Sequence, residues 1–70
     1  MSDNSGLVSV VLPTYDEREN IGVLIERVLA AVDRPVEVVV VDDDSPDGTW
    51  QVVQVMADKD ARIRLLRRID

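Results

Sequence analysis

Seventy residues suffice for one small domain, and a chain of about this size buries only about 60% of its unfolded surface, so its core is marginal. The absence of cysteine and histidine excludes disulfides, thiolate metal sites and imidazole catalysis. The formal charge is −6 at pH 7, with Asp42, Asp43, Asp44 and Asp47 crowded together and Arg62, Arg64, Arg67 and Arg68 near the end, a balance unsuited to general nucleic-acid binding.

Residues 1–6 are small and polar and read as a flexible N-terminus; they lack the basic and apolar regions of a signal peptide. Leu7 to Leu12 is short, β-branched and apolar, the pattern of a buried strand, with Pro13 as its stop. Ile21, Leu24, Ile25, Val28, Leu29 and Val32 then recur at steps of three and four, which predicts an amphipathic helix. Asp16 and Glu19 are spaced as a cap for it. Arg34-Pro35 ends the helix, and Val36 to Val41 predicts a second strand, valine-rich and suited to burial on both faces. Asp42 to Thr49 is a polar turn in which Ser45 and Pro46 suit the start of a second helix reaching about Asp60. The stripe of that helix is Trp50, Val53, Met56 and Ala57, and it assigns Trp50 to packing. Arg62 to Arg67 predicts a third strand with Ile63 and Leu65 on one face and the arginines along a solvated edge.

The order β-α-β-α-β indicates α/β architecture with parallel strands. Three strands leave a sheet edge unpaired, so residues 7–70 read as one incomplete portion of a larger domain. Apolar runs fall far short of the roughly 20 residues that span a bilayer, so a cytoplasmic location or a membrane surface is expected. Ligands of open α/β sheets bind beyond the carboxyl ends of the strands, here Pro13 to Asn20 and Asp42 to Thr49. The turns have neither Gly-x-Gly-x-x-Gly nor a P-loop. They offer instead carboxylates able to accept from the N–H groups of a base or from ribose hydroxyls, and Tyr15 as an aromatic face. That combination points to a sugar nucleotide.

Two runs carry a family resemblance. Val-Ser-Val-Val-Leu-Pro-Thr-Tyr-Asp-Glu-Arg-Glu-Asn-Ile at 8–21 resembles the opening of family-two inverting glycosyltransferases of the GT-A (Rossmann-like) fold. Val-Val-Val-Val-Asp-Asp-Asp-Ser-Pro-Asp-Gly-Thr at 38–49 resembles their second motif. The Ser-Pro-Asp-Gly-Thr segment is most similar to dolichol-phosphate and polyprenol-phosphate mannose synthases. The resemblance runs from Leu7 to about Arg68. It implies that Pro13, Tyr15 and Glu17 contact the nucleotide, that Val41 and Asp43 contact the base from the other side, and that Asp42 shapes the same pocket. One departure is Asp16, where the family usually has Asn; here it is read as a helix cap.

The resemblance further implies transfer of a sugar, with GDP-mannose the first choice of donor, to a polyprenyl or dolichyl phosphate at the cytoplasmic face of a membrane. Mg²⁺ or Mn²⁺ would assist the leaving diphosphate, held by an Asp-x-Asp motif expected beyond Asp70, so neither metal ligands nor catalytic groups are assigned to these residues. Two alternatives stand beside this reading: a truncated, non-catalytic nucleotide-binding fragment, and a receiver-like signalling domain with paired acids after a strand.

Overall fold

The computed structural model describes residues 6–69. The expectation of a flexible terminus falls on residues that, apart from Gly6, lie outside that range. Five elements succeed one another: β1 (Val8–Thr14), α1 (Ile21–Ala31), β2 (Val36–Asp42), α2 (Thr49–Lys59) and β3 (Ile63–Arg67). The strands form one parallel sheet in the order β1-β2-β3. Val8 is in register with Val36 and Thr14 with Asp42, and Val38 is in register with Ile63 and Asp42 with Arg67. All strands therefore end on one side, and the two βα turns are neighbours.

Period-two alternation decides the packing. Val36, Val38, Val40 and Asp42 are buried on the helix side of β2, while Glu37, Val39 and Val41 are only half-buried on the other. Ile21 and Ile25 of α1 and Val53 of α2 meet Val38, Val40 and Ile63 in a single core, with Leu12, Val28, Leu29, Val52, Met56, Ala57 and Leu65 packed around it. Both helices cover the same face, as successive right-handed crossovers in a 1-2-3 order require. Among the described residues the opposite face is uncovered and shows Val11 and Leu66, each more than half exposed. β2 is thus buried on one face, not two.

Pro13 does not end β1. The amide of Val8 donates to Pro35 O at 2.8 Å, and Thr14 O accepts from Asp43 N at 3.1 Å. Even-numbered residues of β1 therefore turn their backbone groups toward β2. Pro13, an odd position, turns its ring nitrogen toward the open edge, where no ladder bond is lost.

The helix starts also differ from the sequence pattern. α1 begins at Ile21 with Asn20 as an uncapped boundary, and a turn over Glu17 to Asn20 precedes it, closed by Ile21 N donating to Glu17 O at 2.8 Å. Asp16 caps nothing there: its backbone is left-handed at φ 55°, a conformation that Asp tolerates better than most residues. α2 begins at Thr49, after Gly48 at φ 88°. Ser45 and Pro46 precede it in the loop, because only the glycine brings the chain into the helix at this angle.

The core makes a direct expectation. Ile25→Ala should cost about 2–5 kcal/mol in denaturant unfolding, enough to abolish a cooperative transition in so small a domain. Val11→Ala, on the uncovered face, should stay within about 0.5 kcal/mol of the parent.

Candidate nucleotide site

The loops after β1 and β2 are joined by side chains of the second accepting from the backbone of the first. Asp16 N donates to Ser45 Oγ at 3.0 Å, Glu17 N to Thr49 Oγ1 at 2.9 Å, and Arg18 N to Asp47 Oδ2 at 3.1 Å. Each hydroxyl is a relay. Ser45 Oγ donates its own proton to Asp42 Oδ1 at 2.6 Å, and Thr49 Oγ1 donates its own to Asp47 Oδ1. Asp47 Oδ1 also accepts from Thr49 N at 3.0 Å, so Asp47 braces the loop before α2 and is not in its first turn. These contacts explain physically why a Ser-Pro-Asp-Gly-Thr segment comes after β2.

Asp42 lies beneath this junction, fully buried. Thr14 Oγ1 donates to its Oδ1 at 2.9 Å, and Ser45 N donates to its Oδ2 at 3.0 Å. Burial by itself would raise the Asp42 carboxyl. The hydrogen bonds from the Ser45 hydroxyl, the Ser45 amide and the Thr14 hydroxyl, with the positive charge of Arg67, outweigh it and hold the group below its ordinary 3.8. The carboxylate is thus ionised, occupied and out of reach of solvent. It shapes the site from behind.

Above it lies an open cleft of about 270 Å³ lined by Pro13, Thr14, Tyr15, Val41, Asp43 and Arg68. Four of the residues singled out from sequence, Pro13, Tyr15, Val41 and Asp43, are thereby brought together. Glu17 is exposed and is not among the residues lining this cleft. A second cleft of about 610 Å³ lies beside it, lined by Asp16, Arg18, Glu19, Asn20, Pro46 and Asp47. The roomier apolar cleft, about 640 Å³, reaches from Glu26 to Ile63 and includes Leu29, Val55 and Met56. It draws on the ends of α1 and α2 and the start of β3, the opposite end of the strands from the βα turns, and so has no part in the site.

Arg62, Arg64 and Arg68 are exposed along a solvated edge, and Arg67 alone among the four is half-buried. Arg62 pairs with Asp60 at 2.7 Å, Arg64 with Glu37 at 3.6 Å and Arg67 with Asp44 at 3.8 Å. The hydrogen bonds from Arg62 lower the Asp60 carboxyl to about 2. The Arg67 guanidinium lies 3.8 Å from the centroid of the Trp50 ring, a cation–π contact, and its Nε is buried without a hydrogen-bond partner among the described residues. Trp50 is therefore a half-buried platform for an arginine. Sequence periodicity had no means of finding this pair, because β3 and α2 meet only after folding.

Among the described residues no group of three or more His, Cys, Asp or Glu side chains is arranged to hold a metal ion. The adjacent acids do not form a ligand set: Asp42 is sealed by donors, and Asp44 turns to Arg67 through a left-handed backbone at φ 54°.

A parallel β-α-β-α-β unit with both βα turns converging on one crevice fits the opening of a GT-A, Rossmann-like glycosyltransferase domain. The model of glycosyl transferase family 2 matches residues 9–69, and the chain belongs to that family. It is 47% identical over 62 residues to a dolichol-phosphate mannosyltransferase of Pyrococcus furiosus, covering 87% of this chain and 17% of that protein. A polyprenol monophosphomannose synthase of Mycolicibacterium smegmatis is 43% identical over 61 residues, covering 84% and 22%. An undecaprenyl-phosphate 4-deoxy-4-formamido-L-arabinose transferase of Pectobacterium carotovorum is 50% identical over 56 residues, covering 76% and 17%. The chain spans about a fifth of the length of these relatives. Membership sets aside the receiver-like alternative.

The depressed carboxyls fix the direction of the pH response. Asp42, Asp47 and Asp60 all sit below 3.8 when folded, Asp47 chiefly through the Thr49 hydroxyl. The unfolded chain then binds more protons than the folded one below that value, so stability is full above it and is lost as pH falls, down to about 2 for Asp60. Denaturant midpoints should be flat from neutrality to about pH 5 and drop below about pH 4. Asp42→Asn should cost about 1–3 kcal/mol at neutral pH and flatten that acid limb.

Proposed function

We infer that this chain is the nucleotide-recognising part of a glycosyltransferase that takes a nucleoside-diphosphate sugar, GDP-mannose in the first instance, and delivers the sugar to a polyprenyl or dolichyl phosphate. The observation that carries the reading is the cleft in which Pro13, Tyr15, Val41 and Asp43 meet at the carboxyl ends of β1 and β2. The names of the relatives support the acceptor class, since dolichol, polyprenol and undecaprenyl phosphates recur in them.

In this role Tyr15 offers its ring to the face of the base, and the Asp43 carboxylate accepts from a base N–H. Pro13 keeps the strand end in one shape, and Val41 supplies an apolar wall. Asp42 contributes by holding Thr14 and Ser45 in place. Glu17 reaches the ribose from the rim, its backbone fixed by Thr49. The reaction inferred from the family is attack of the acceptor phosphate oxygen on the anomeric carbon with inversion and departure of the nucleoside diphosphate. A divalent cation, Mg²⁺ or Mn²⁺, would supply charge stabilisation of that leaving group. These residues do not fit it, and no step here is assigned through it. Residues 7–70 bind and orient; they neither attack nor protonate, so the chain alone is expected to bind nucleotide without turnover. The setting that suits a lipid-linked acceptor is the cytoplasmic face of a membrane, although among the described residues no helix is long and apolar enough to cross one.

Calorimetric titration tests the reading. GDP or UDP should bind the chain, and Asp43→Ala should weaken that binding by about tenfold or more through loss of one charge-assisted hydrogen bond. Undiminished binding in Asp43→Ala would remove Asp43 from the site.

A further inference from the structure

Arg68 is the cation among the residues lining the cleft, and its charge has no role in holding the two loops together. Its backbone N–H donates to Asp42 O at 2.7 Å, one residue beyond the end of β3, which fixes the main chain at this point. The neighbouring Arg62, Arg64 and Arg67 each have a carboxylate partner, and among the described residues Arg68 has none. Arg68 lines the same cleft as Tyr15 and Asp43. The cleft thus brings one carboxylate and one guanidinium to the place where an aromatic ring can hold a base.

That pairing has a chemical consequence. A carboxylate only accepts hydrogen bonds, and a guanidinium only donates them. Guanine and uracil each present a carbonyl next to a ring N–H, which matches a donor beside an acceptor. Adenine and cytosine present an amino group next to an unprotonated ring nitrogen. With the base held in the same frame by Tyr15 and its own ribose, those two positions are reversed. The guanidinium then faces an amino donor, the carboxylate faces a lone pair, and both contacts become repulsive.

We propose that Arg68 is a specificity-determining residue, its guanidinium donating to the carbonyl of a keto base whose ring N–H is accepted by Asp43. The proposal rests on the nucleotide reading of the cleft and narrows it to guanosine or uridine diphosphates. It also gives the late arginine a role distinct from general attraction of phosphate.

The test is calorimetric titration of the chain and of Arg68→Met with GDP, UDP, ADP, CDP and inorganic pyrophosphate in one Mg²⁺ buffer. Arg68→Met keeps the backbone bond to Asp42, and an unchanged melting temperature verifies that its fold is intact. The parent should bind GDP or UDP at least about tenfold tighter than ADP and CDP, and the variant should lose about tenfold for the keto nucleotides alone. Its affinity for ADP and CDP should hold or rise, because one repulsive contact is removed, and its affinity for pyrophosphate should not change. Equal weakening of all four nucleotides and pyrophosphate would make Arg68 a phosphate contact and overturn the specificity role while leaving the nucleotide reading intact. Unchanged affinities in the variant would overturn it likewise. Failure of the parent to bind any of the four nucleotides would overturn the nucleotide reading, and this inference with it.

Discussion

Three successive backbone amides, on Asp16, Glu17 and Arg18, emerge from β1 with no strand or helix backbone to accept them, and the side chains of Ser45 and Asp47 in the loop after β2 and of Thr49 at the start of α2 do so instead. The rest of the site depends on that junction. An unpaired buried amide costs about 1–3 kcal/mol, which applies in part to the half-buried bonds of Asp16 and Glu17 and much less to the exposed bond of Arg18. The hydroxyls gain from acting twice. Ser45 and Thr49 each accept from the first loop and donate to an aspartate, and both aspartates are held ionised by those donors. Asp42 joins the network to the sheet, since Thr14 of β1 also donates to it. The two strand ends and the two turns therefore form one polar unit, and a cleft between them keeps its shape.

This unit also separates two kinds of acid that look alike in a row. Asp42 is sealed, Asp43 faces the cleft, and Asp44 turns away to Arg67. Alternation along β2 sends Asp42 to the helix side, and the left-handed turn at Asp44 redirects the chain into Ser45 and Pro46. A solvated acidic turn would have had no reason to treat its members so differently. The charge run is better understood as one structural carboxylate, one available acceptor and one partner for an arginine.

Much of the fold was legible because it rests on periodicity. The stripe of α1 was readable at Ile21, Ile25, Val28 and Leu29, and the facing of β3 at Ile63 and Leu65. The parallel order came from alternating strands and helices. The errors lie where tertiary hydrogen bonds outweigh local propensity. Asp16 and Ser45 have good capping chemistry, yet each is bound to the other loop. Pro13 reads as a stop, and only the position of β1 at an edge of the sheet makes it harmless. Of the residues lining the candidate cleft, Pro13, Tyr15, Val41 and Asp43 were within reach because two motifs resembled a known family. Arg68 was not, since nothing in its sequence neighbourhood separates it from the paired arginines before it. The structural duties of Thr14 and Thr49 were missed for a similar reason: a hydroxyl acts as a relay only once both its partners have been folded into place.

We propose that the joined loops form one base-binding cleft at the carboxyl ends of β1 and β2. Amide chemical-shift mapping of the isotope-labelled chain during a GDP titration tests it most directly. Thr14, Tyr15, Val41, Asp43 and Arg68 should shift together along a single saturating curve. Shifts confined to the apolar cleft around Leu29, Val55 and Met56, or shifts in one loop without the other, would contradict it.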